Sequence, residues 1–327
     1  MSAVVFDHAG KRYSSATRPA VDDCSLEVDD GQFVVLLGPS GCGKTTLLKM
    51  VNRLIEPSSG RILVNDVDVR SLSVTDLRRR IGYVIQQVGL FPHMTVEANI
   101  AVVPRLLHWS KARISERIDV LLELVGLSPR DYRGRRPREL SGGEQQRVGI
   151  ARAMAADQSL LLMDEPFGAI DAITRTRLQD ELLRIQARVH KTVLFVTHDV
   201  EEALRLADVL VVMRDGRIVQ AALPRSILTH PADEFVAKLV GSDDVLRRLS
   251  LIPVVELMTP LRAATDGRSG LIAIDRSENA RSALSLLLRE GVRAVAVTDG
   301  QTVIGSLTIH DLEAALQEAR PVEEKPA

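Results

Sequence analysis

The residues best equipped for chemistry stand in one run, Gly38-Pro39-Ser40-Gly41-Cys42-Gly43-Lys44-Thr45-Thr46. The apolar stretch Phe33-Val34-Val35-Leu36-Leu37 precedes it, and Leu47-Leu48-Lys49-Met50-Val51 follows. Buried strand, glycine-rich turn and helix start form the context in which the spacing G-x-x-x-x-G-K-[ST] carries meaning. Glycines let the backbone close tightly around phosphate oxygens that a Cβ would hold off. Peptide N–H groups then face inward as a concave anion site, and the helix N-terminus adds partial positive charge. Lys44 supplies a mobile cation for the outer phosphates, and Thr45 brings a hydroxyl to where a bound Mg2+ would sit. The run predicts a nucleoside triphosphate site.

Other reactive groups fall at the ends of apolar runs. Ser159-Leu160-Leu161-Leu162-Met163 leads to Asp164-Glu165-Pro166, delivering two adjacent carboxylates. In α/β sheets ligands gather at the carboxyl ends of parallel strands, so this placement suits metal and water better than a charged turn would. Thr192 to Thr197 is a second such strand and ends in His198-Asp199, while Ile81 to Ile85 ends at Gln86-Gln87. A glutamine there is either a solvated cap or a hydrogen-bond partner for a water or metal near the phosphates. Ser141-Gly142-Gly143, ahead of Glu144-Gln145-Gln146-Arg147-Val148, exposes N–H groups and a hydroxyl at a helix start. Tyr13, in a polar stretch between two strands, is either packing or an aromatic face for a purine base.

These groups need a scaffold, and the chain is long enough for two cores: 327 residues, 45% hydrophobic and 26% charged. A net charge of −1 gives no field that would gather nucleic acid or an anionic membrane. No run approaches the ~18 apolar residues of a membrane span, and the start Met1 to Asp7 lacks the layout of a secretory signal. Cys24 and Cys42 are the only cysteines, and a reducing cytosol suits them. Strands are expected at Val4 to Phe6, Cys24 to Val28 and Arg61 to Val64. From residue 88 to about 157 the pattern turns helical, with Ile114, Ile118, Leu121, Leu122 and Val125 at helical spacing and Trp109 in the loop before them. Leu178, Leu182, Ile185 and Val189 mark another amphipathic helix, and Val209 to Met213 a strand turning at Asp215-Gly216 into Arg217 to Val219.

Together these pieces resemble the ATP-binding cassette (ABC) ATPases, over roughly Val4 to Val240. Gly38 to Thr46 resembles Walker A, and Leu160 to Asp164 with Glu165 resembles Walker B and its catalytic glutamate. Leu140-Ser141-Gly142-Gly143-Glu144-Gln145 resembles the family signature loop, with Glu144 where glutamine is common. Gln86 matches the Q-loop glutamine, Gly168-Ala169-Ile170-Asp171 the D-loop, His198 the switch histidine and Tyr13 the base-stacking aromatic. The resemblance implies an α/β fold: a P-loop NTPase (RecA-like) core, residues 1–240, with an inserted helical subdomain at about 88–157. It implies ATP and Mg2+ as cofactors, with Asp164 holding the metal through water, Thr45 directly and Gln86 beside them. Glu165 would polarise the attacking water, while Gln86 and His198 sense the γ-phosphate. ATP would lie between Walker A of one copy and Ser141 to Gly143 of a second, near Asp171.

Leu90-Phe91-Pro92-His93-Met94-Thr95-Val96 is similar to the order found in importers of small polar solutes, which implies separate permease chains, an extracytoplasmic binding protein and a peripheral place on the cytoplasmic membrane face. Residues 241–251 read as a linker. Beyond it, a strand, a helix with Ala280, Leu284, Leu287 and Leu288 on one face, a hairpin at Arg293 to Leu307 and a last helix from Ile309 to about Ala319 resemble a single cystathionine β-synthase (CBS) motif, residues 252–319. The resemblance makes Thr308 and Asp311 candidates for an adenine nucleotide; alternatively Asp311 caps the last helix of a plain packing domain. CBS motifs work in pairs, which implies pairing with a second copy. The tail 320–327 is expected to be disordered.

An importer ATPase ending in a CBS motif looks like those serving glycine betaine, proline betaine, carnitine and choline. Alternatives are an importer for an amino acid or polyamine, a non-transport cassette ATPase acting on DNA or ribosomes, and a nucleotide-responsive regulator. Tandem cassettes, coiled coils and basic extensions are absent from this sequence, which disfavours nucleic acid as a partner.

Overall fold

The structure is a computed structural model and describes residues 2–14, 16–86, 89–168, 170–266 and 272–318. It divides into two compact units, Met1–Ala221 and Ala222–Ala327. The expected tail 320–327 lies outside the described residues, as do Val88, where the helical insert was expected to begin, and Ala169 of the D-loop stretch.

The first unit starts with strands β1 (Ser2–Lys11), β2 (Val21–Asp29) and β3 (Phe33–Leu37), then helix α1 (Lys44–Val51). Strands β4 (Ser59–Val64) and β5 (Val67–Asp68), helix α2 (Val74–Arg79) and strand β6 (Ile81–Val84) follow. The helical stretch holds α3 (Val96–Ile100), α4 (Val102–Leu106), α5 (Lys111–Leu124), α6 (Pro129–Tyr132) and α7 (Gly142–Ala153). The chain returns through β7 (Leu160–Asp164), α8 (Ala172–Val189), β8 (Thr192–Thr197), α9 (Val200–Leu206), β9 (Val209–Arg214) and β10 (Arg217–Ala222).

A six-stranded sheet in the order β10-β9-β3-β8-β7-β6 forms its centre. Strands β9, β3, β8, β7 and β6 pair in parallel, so their carboxyl ends share one edge. Every residue of β3, β7 and β8 is buried. That accounts for continuous Val, Leu and Phe runs where a half-exposed strand would alternate. A second sheet, ordered β2-β1-β4-β5, is antiparallel. Phe6 and Ile62 from it and Leu47 and Met50 of α1 share a core with Leu36 and Leu194. Truncating one such leucine costs about 2–5 kcal/mol.

Helix starts in this unit are read from local chemistry. Ser73, Thr95, Ser110, Ser141, Asp171 and Asp199 each accept a backbone N–H from the first turn that follows. Each such cap contributes about 1 kcal/mol. Trp109 precedes α5 and stacks on the Arg113 guanidinium, 3.5 Å from the ring centre.

The second unit carries α10 (Pro224–Thr229), α11 (Glu234–Val240), α12 (Val245–Ser250) and α13 (Val254–Leu257). Strands β11 (Thr259–Asp266) and β12 (Ala273–Asp275), helix α14 (Ala280–Glu290), strands β13 (Ala294–Asp299) and β14 (Thr302–Thr308) and helix α15 (Ile309–Glu318) complete it. Its sheet is ordered β11-β14-β13-β12. Two expectations need correction. The stretch 241–251 is not bare linker: Asp244 caps α12, and Leu249 is buried in the second core with Ile252, Leu287 and Val297. Leu288, expected beside Leu287 on the packed face, is 67% exposed, because a one-residue step turns a helix by about 100° and carries it off the stripe.

Candidate functional site

Three groups of candidate residues lie along the carboxyl edge of the parallel sheet because three neighbouring strands end there. The glycine-rich run leaves β3, Asp164 and Glu165 close β7, and His198 follows β8, which lies between them. Leu37 pairs with Thr197 and Asp164 with Val196, so register alone aligns these ends.

The loop itself is tightly packed. A Cβ on Gly38 would lie 2.3 Å from the Met213 carbonyl oxygen, and one on Gly43 equally close to that of Ala20. Gly43 also has φ +108, outside the range of ordinary side-chain-bearing residues. The Cys42 carbonyl accepts the N–H of Gly216, so the β9–β10 turn braces the loop. Pro39, Ser40 and Gly41 are exposed, whereas Cys42 and Lys44 are buried. Lys44 Nζ donates to the carbonyls of Gly38 at 2.7 Å and Pro39 at 2.9 Å, folding its ammonium back over the loop. Thr46 is half-buried in the first turn of α1. Tyr13 is 40% exposed, with Lys11 Nζ 5.2 Å from its ring centre, and belongs to the same β1–β2 connection as Ala20.

Two carboxylates divide two environments. Asp164 is buried; its Oδ1 accepts the Thr45 hydroxyl at 2.8 Å, and its Oδ2 lies 3.3 Å from Lys49 Nζ. Tyr83 on β6 is also near: burial first, then the Asp164 charge, push its phenol far above the usual range. Glu165, one residue on, has φ +43, a left-handed backbone that costs about 1 kcal/mol or more for a residue with a Cβ. Its N–H donates to the Val196 carbonyl. Glu165 Oε2 receives Gln86 Nε2 at 3.2 Å and stands 3.2 Å from His198 Nδ1. Gln86 therefore meets Glu165 and not the Thr45–Asp164 pair.

A cavity of about 30 Å³ lies behind Glu165 and His198, bounded also by Arg175, Asp199 and Glu202. Burial raises the Glu202 carboxyl above the usual range, partly offset by hydrogen bonds from Thr197 and Gln179. Arg175 donates to Asp199 Oδ2 and to the Ile170 carbonyl, both at 3.1 Å, tying the stretch before α8 to the one after β8. Asp171 caps α8 through Thr174 N–H, which holds its carboxyl below the usual range.

Ser141, Gly142 and Gly143 open α7 at a different part of the chain, with Ser141 and Gly142 exposed. Ser141 accepts the Glu144 N–H, while Glu144 Oε2 accepts the Ser141 N–H at 2.7 Å and its hydroxyl at 2.9 Å. Tyr132 donates to Glu144 Oε1 at 2.6 Å and is the main reason that carboxyl lies below the usual range. Among the described residues the hydrogen bonds of Ser141 go to Glu144, and none joins it to the Gly38–Thr46 loop. Thr308 and Asp311 lie in the second unit, where the Thr308 N–H and hydroxyl both donate to Asp311 Oδ2, and the Asp311 N–H returns to the hydroxyl.

Lys49, Arg175, Tyr83 and Tyr132 were not foreseen. For two of them a signal exists: Lys49 is four residues from Thr45, and Arg175 four from Asp171, spacings that share a helix face.

The ABC transporter family pattern matches residues 21–168. Over 311 residues the chain is 46% identical to the glycine betaine uptake system ATP-binding protein YehX of Escherichia coli, covering 94% of this chain and 98% of that one. The chain belongs to the ABC transporter ATP-binding proteins. Identity to the osmoprotectant import ATP-binding protein OsmV of Salmonella typhimurium is 55% over 233 residues, 71% of this chain and 61% of that protein's length. Identity to the carnitine transport ATP-binding protein OpuCA of Listeria monocytogenes is 44% over 310 residues, 94% and 75% of the two lengths. A dimeric ATP-binding cassette solved in a post-hydrolysis state with ADP and phosphate is 29% identical, with a TM-score of 0.60 over 68% of this chain and 98% of its own. The first unit is thus an ABC cassette with a P-loop NTPase core, and the chain carries an additional α/β region at its C-terminal end. Among the described residues no helix is long and apolar enough to cross a membrane.

Proposed function

We propose that this ABC protein is the ATP-hydrolysing subunit of an importer for a quaternary-amine osmoprotectant. The observation that carries the hydrolytic part is the convergence of Gln86 and His198 on one oxygen of Glu165, beside the Thr45–Asp164 pair. The substrate class rests on the relatives named for betaine and carnitine transport, since no residue of an ATP-binding subunit need touch the solute.

Phosphoryl transfer asks little covalent chemistry of the protein; positioning and charge placement carry it. The Gly38–Thr46 backbone and Lys44 hold the phosphates, with Lys44 exchanging its two carbonyl partners for phosphate oxygens. Tyr13 offers its exposed ring to the base. Thr45 and Asp164 fit Mg2+: both are hard oxygen donors, adjacent at 2.8 Å, and Mg2+ beside phosphates takes only one or two protein ligands and keeps waters. That ion supplies charge neutralisation at the phosphates. Glu165 orients and polarises the attacking water, His198 and Gln86 fix the carboxylate and read the γ-phosphate, and Ser141 to Gly143 of a second copy close the site. Permease chains would receive the motion at the membrane's cytoplasmic face, with a solute-binding protein on the other side. For the second unit we propose a CBS-like role in pairing copies or sensing adenine nucleotide.

Glu165→Gln tests the hydrolytic reading. ATP turnover should fall at least about 100-fold while ATP still binds, because the amide keeps the shape and loses the base. Steady-state phosphate release and equilibrium binding of a fluorescent ATP analogue measure the two. Undiminished hydrolysis would falsify the assignment.

A further inference from the structure

Asp164 is 6% exposed, yet one of its carboxylate oxygens faces an ammonium that none of the motifs above accounts for. Lys49 sits one helical turn beyond Thr45 on α1, so both side chains project toward the end of β7. Their division of labour is geometric: the Thr45 hydroxyl occupies Oδ1 at 2.8 Å and the Lys49 ammonium lies 3.3 Å from Oδ2. Burying a charged group is costly unless an opposite charge accompanies it, and Lys49 is the ammonium that faces this carboxylate. Lys44, the other ammonium of this helix, is turned onto the Gly38 and Pro39 carbonyls.

We propose that Lys49 is a resident counter-ion of Asp164 that competes with the divalent cation, and so sets how much Mg2+ the protein needs to bind nucleotide. The inference rests on the reading of Thr45 and Asp164 as the cation's protein ligands. A cation arriving at Asp164 meets a carboxylate whose charge is already matched. Lys49 must yield its contact, or remain and repel the incoming ion. At the effective permittivity of a half-buried site, one unit charge a few ångströms away changes a divalent ion's affinity by several-fold or more. Lys49 is 32% exposed on its side chain, so its long stem can swing the ammonium into water once displaced. The pair thus keeps the site neutral without cation and ready for one.

The test uses the full chain and a fluorescent, non-hydrolysable ATP analogue, titrated with free Mg2+ after EDTA treatment. In Lys49→Met and Lys49→Gln the Mg2+ concentration for half-maximal nucleotide binding should fall at least about threefold. Lys49→Arg, which keeps the charge, should stay near wild type. If one neutral variant fails to fold, the other carries the measurement, since glutamine keeps a hydrogen-bond donor for Asp164. A neutral variant whose half-point matches wild type, or rises, overturns the proposal. Binding in the wild type that does not respond to Mg2+ at all overturns instead the underlying assignment of Thr45 and Asp164. The two failures are therefore distinct.

Discussion

Two threonine–aspartate pairs in this molecule have nearly the same bond and opposite characters. Thr45 donates to Asp164 at 2.8 Å, and Thr308 donates to Asp311 at 2.7 Å. The first pair joins residues 119 apart in sequence, one in a glycine-braced helix start and one at the end of a buried strand. The second joins residues three apart. In the second pair every donor is answered locally: the Thr308 N–H and hydroxyl go to Asp311, and the Asp311 N–H returns. That is a capping box, with aspartate in the place of the usual glutamate. At Asp164 the arrangement brings one hydroxyl and one ammonium to a buried carboxylate, and folding has to hold a long loop closed to do it. A local pair explains itself as helix chemistry. A pair assembled across the fold, against desolvation, calls for a ligand to account for it.

The largest expected break in the comparison is Asp164→Asn. It removes the charge that Thr45 and Lys49 face and should lower ATP turnover about a hundredfold or more. Phosphate release at saturating Mg2+ measures it, and a loss under tenfold would place Asp164 with Asp311 among the structural carboxylates.

Much of the first pair's setting was legible in the sequence, because its signals are local and obligatory. Glycines at fixed spacing, five-residue apolar strands and a serine at the start of α7 each follow from backbone requirements that no distant residue alters. Lys49 and Arg175 were not legible as partners. Each lies on the correct helix face, but which strand end that face meets depends on the order β3-β8-β7, which periodicity does not reveal. Leu249 was obscured for a similar reason: a short segment between Gly241 and Ile252 reads as linker until a core exists for it to fill. Asp311 had two open readings, and the returning hydrogen bond from its own N–H supports the cap.

Thr308→Ala should have a smaller and purely structural effect. Losing a threonine cap costs about 1 kcal/mol, seen as a lower melting temperature, while ATP turnover stays within about twofold of wild type, a change worth under half a kcal/mol. Equilibrium binding of the fluorescent ATP analogue should give one nucleotide per chain before and after the substitution. A second nucleotide that disappears with Thr308→Ala would erase the contrast with Thr45 and favour the sensing role for this unit.

The finest test lies between the two, at Ser141 and Glu144. Their box is as local as that of Thr308 and Asp311, yet it opens a helix whose exposed start we propose meets the nucleotide of a second copy. What distinguishes it is Tyr132, whose hydroxyl holds Glu144 Oε1 and is the leading cause of that carboxyl's lowered pKa. A carboxyl with a folded pKa below its ordinary 4.5 contributes stability that is present above 4.5 and fades as pH falls through the folded value. Tyr132→Phe should therefore lower the melting temperature at pH 7 by at most about 2 °C, since the group is largely solvated. The difference from wild type should shrink as pH falls from 4.5 through the folded value, because Glu144 then becomes protonated in both. Thermal melts across that range measure it. A difference that persists unchanged in acid would mean that Tyr132 acts through ring packing against Arg135, which lies 4.3 Å from its centre, and not through the box.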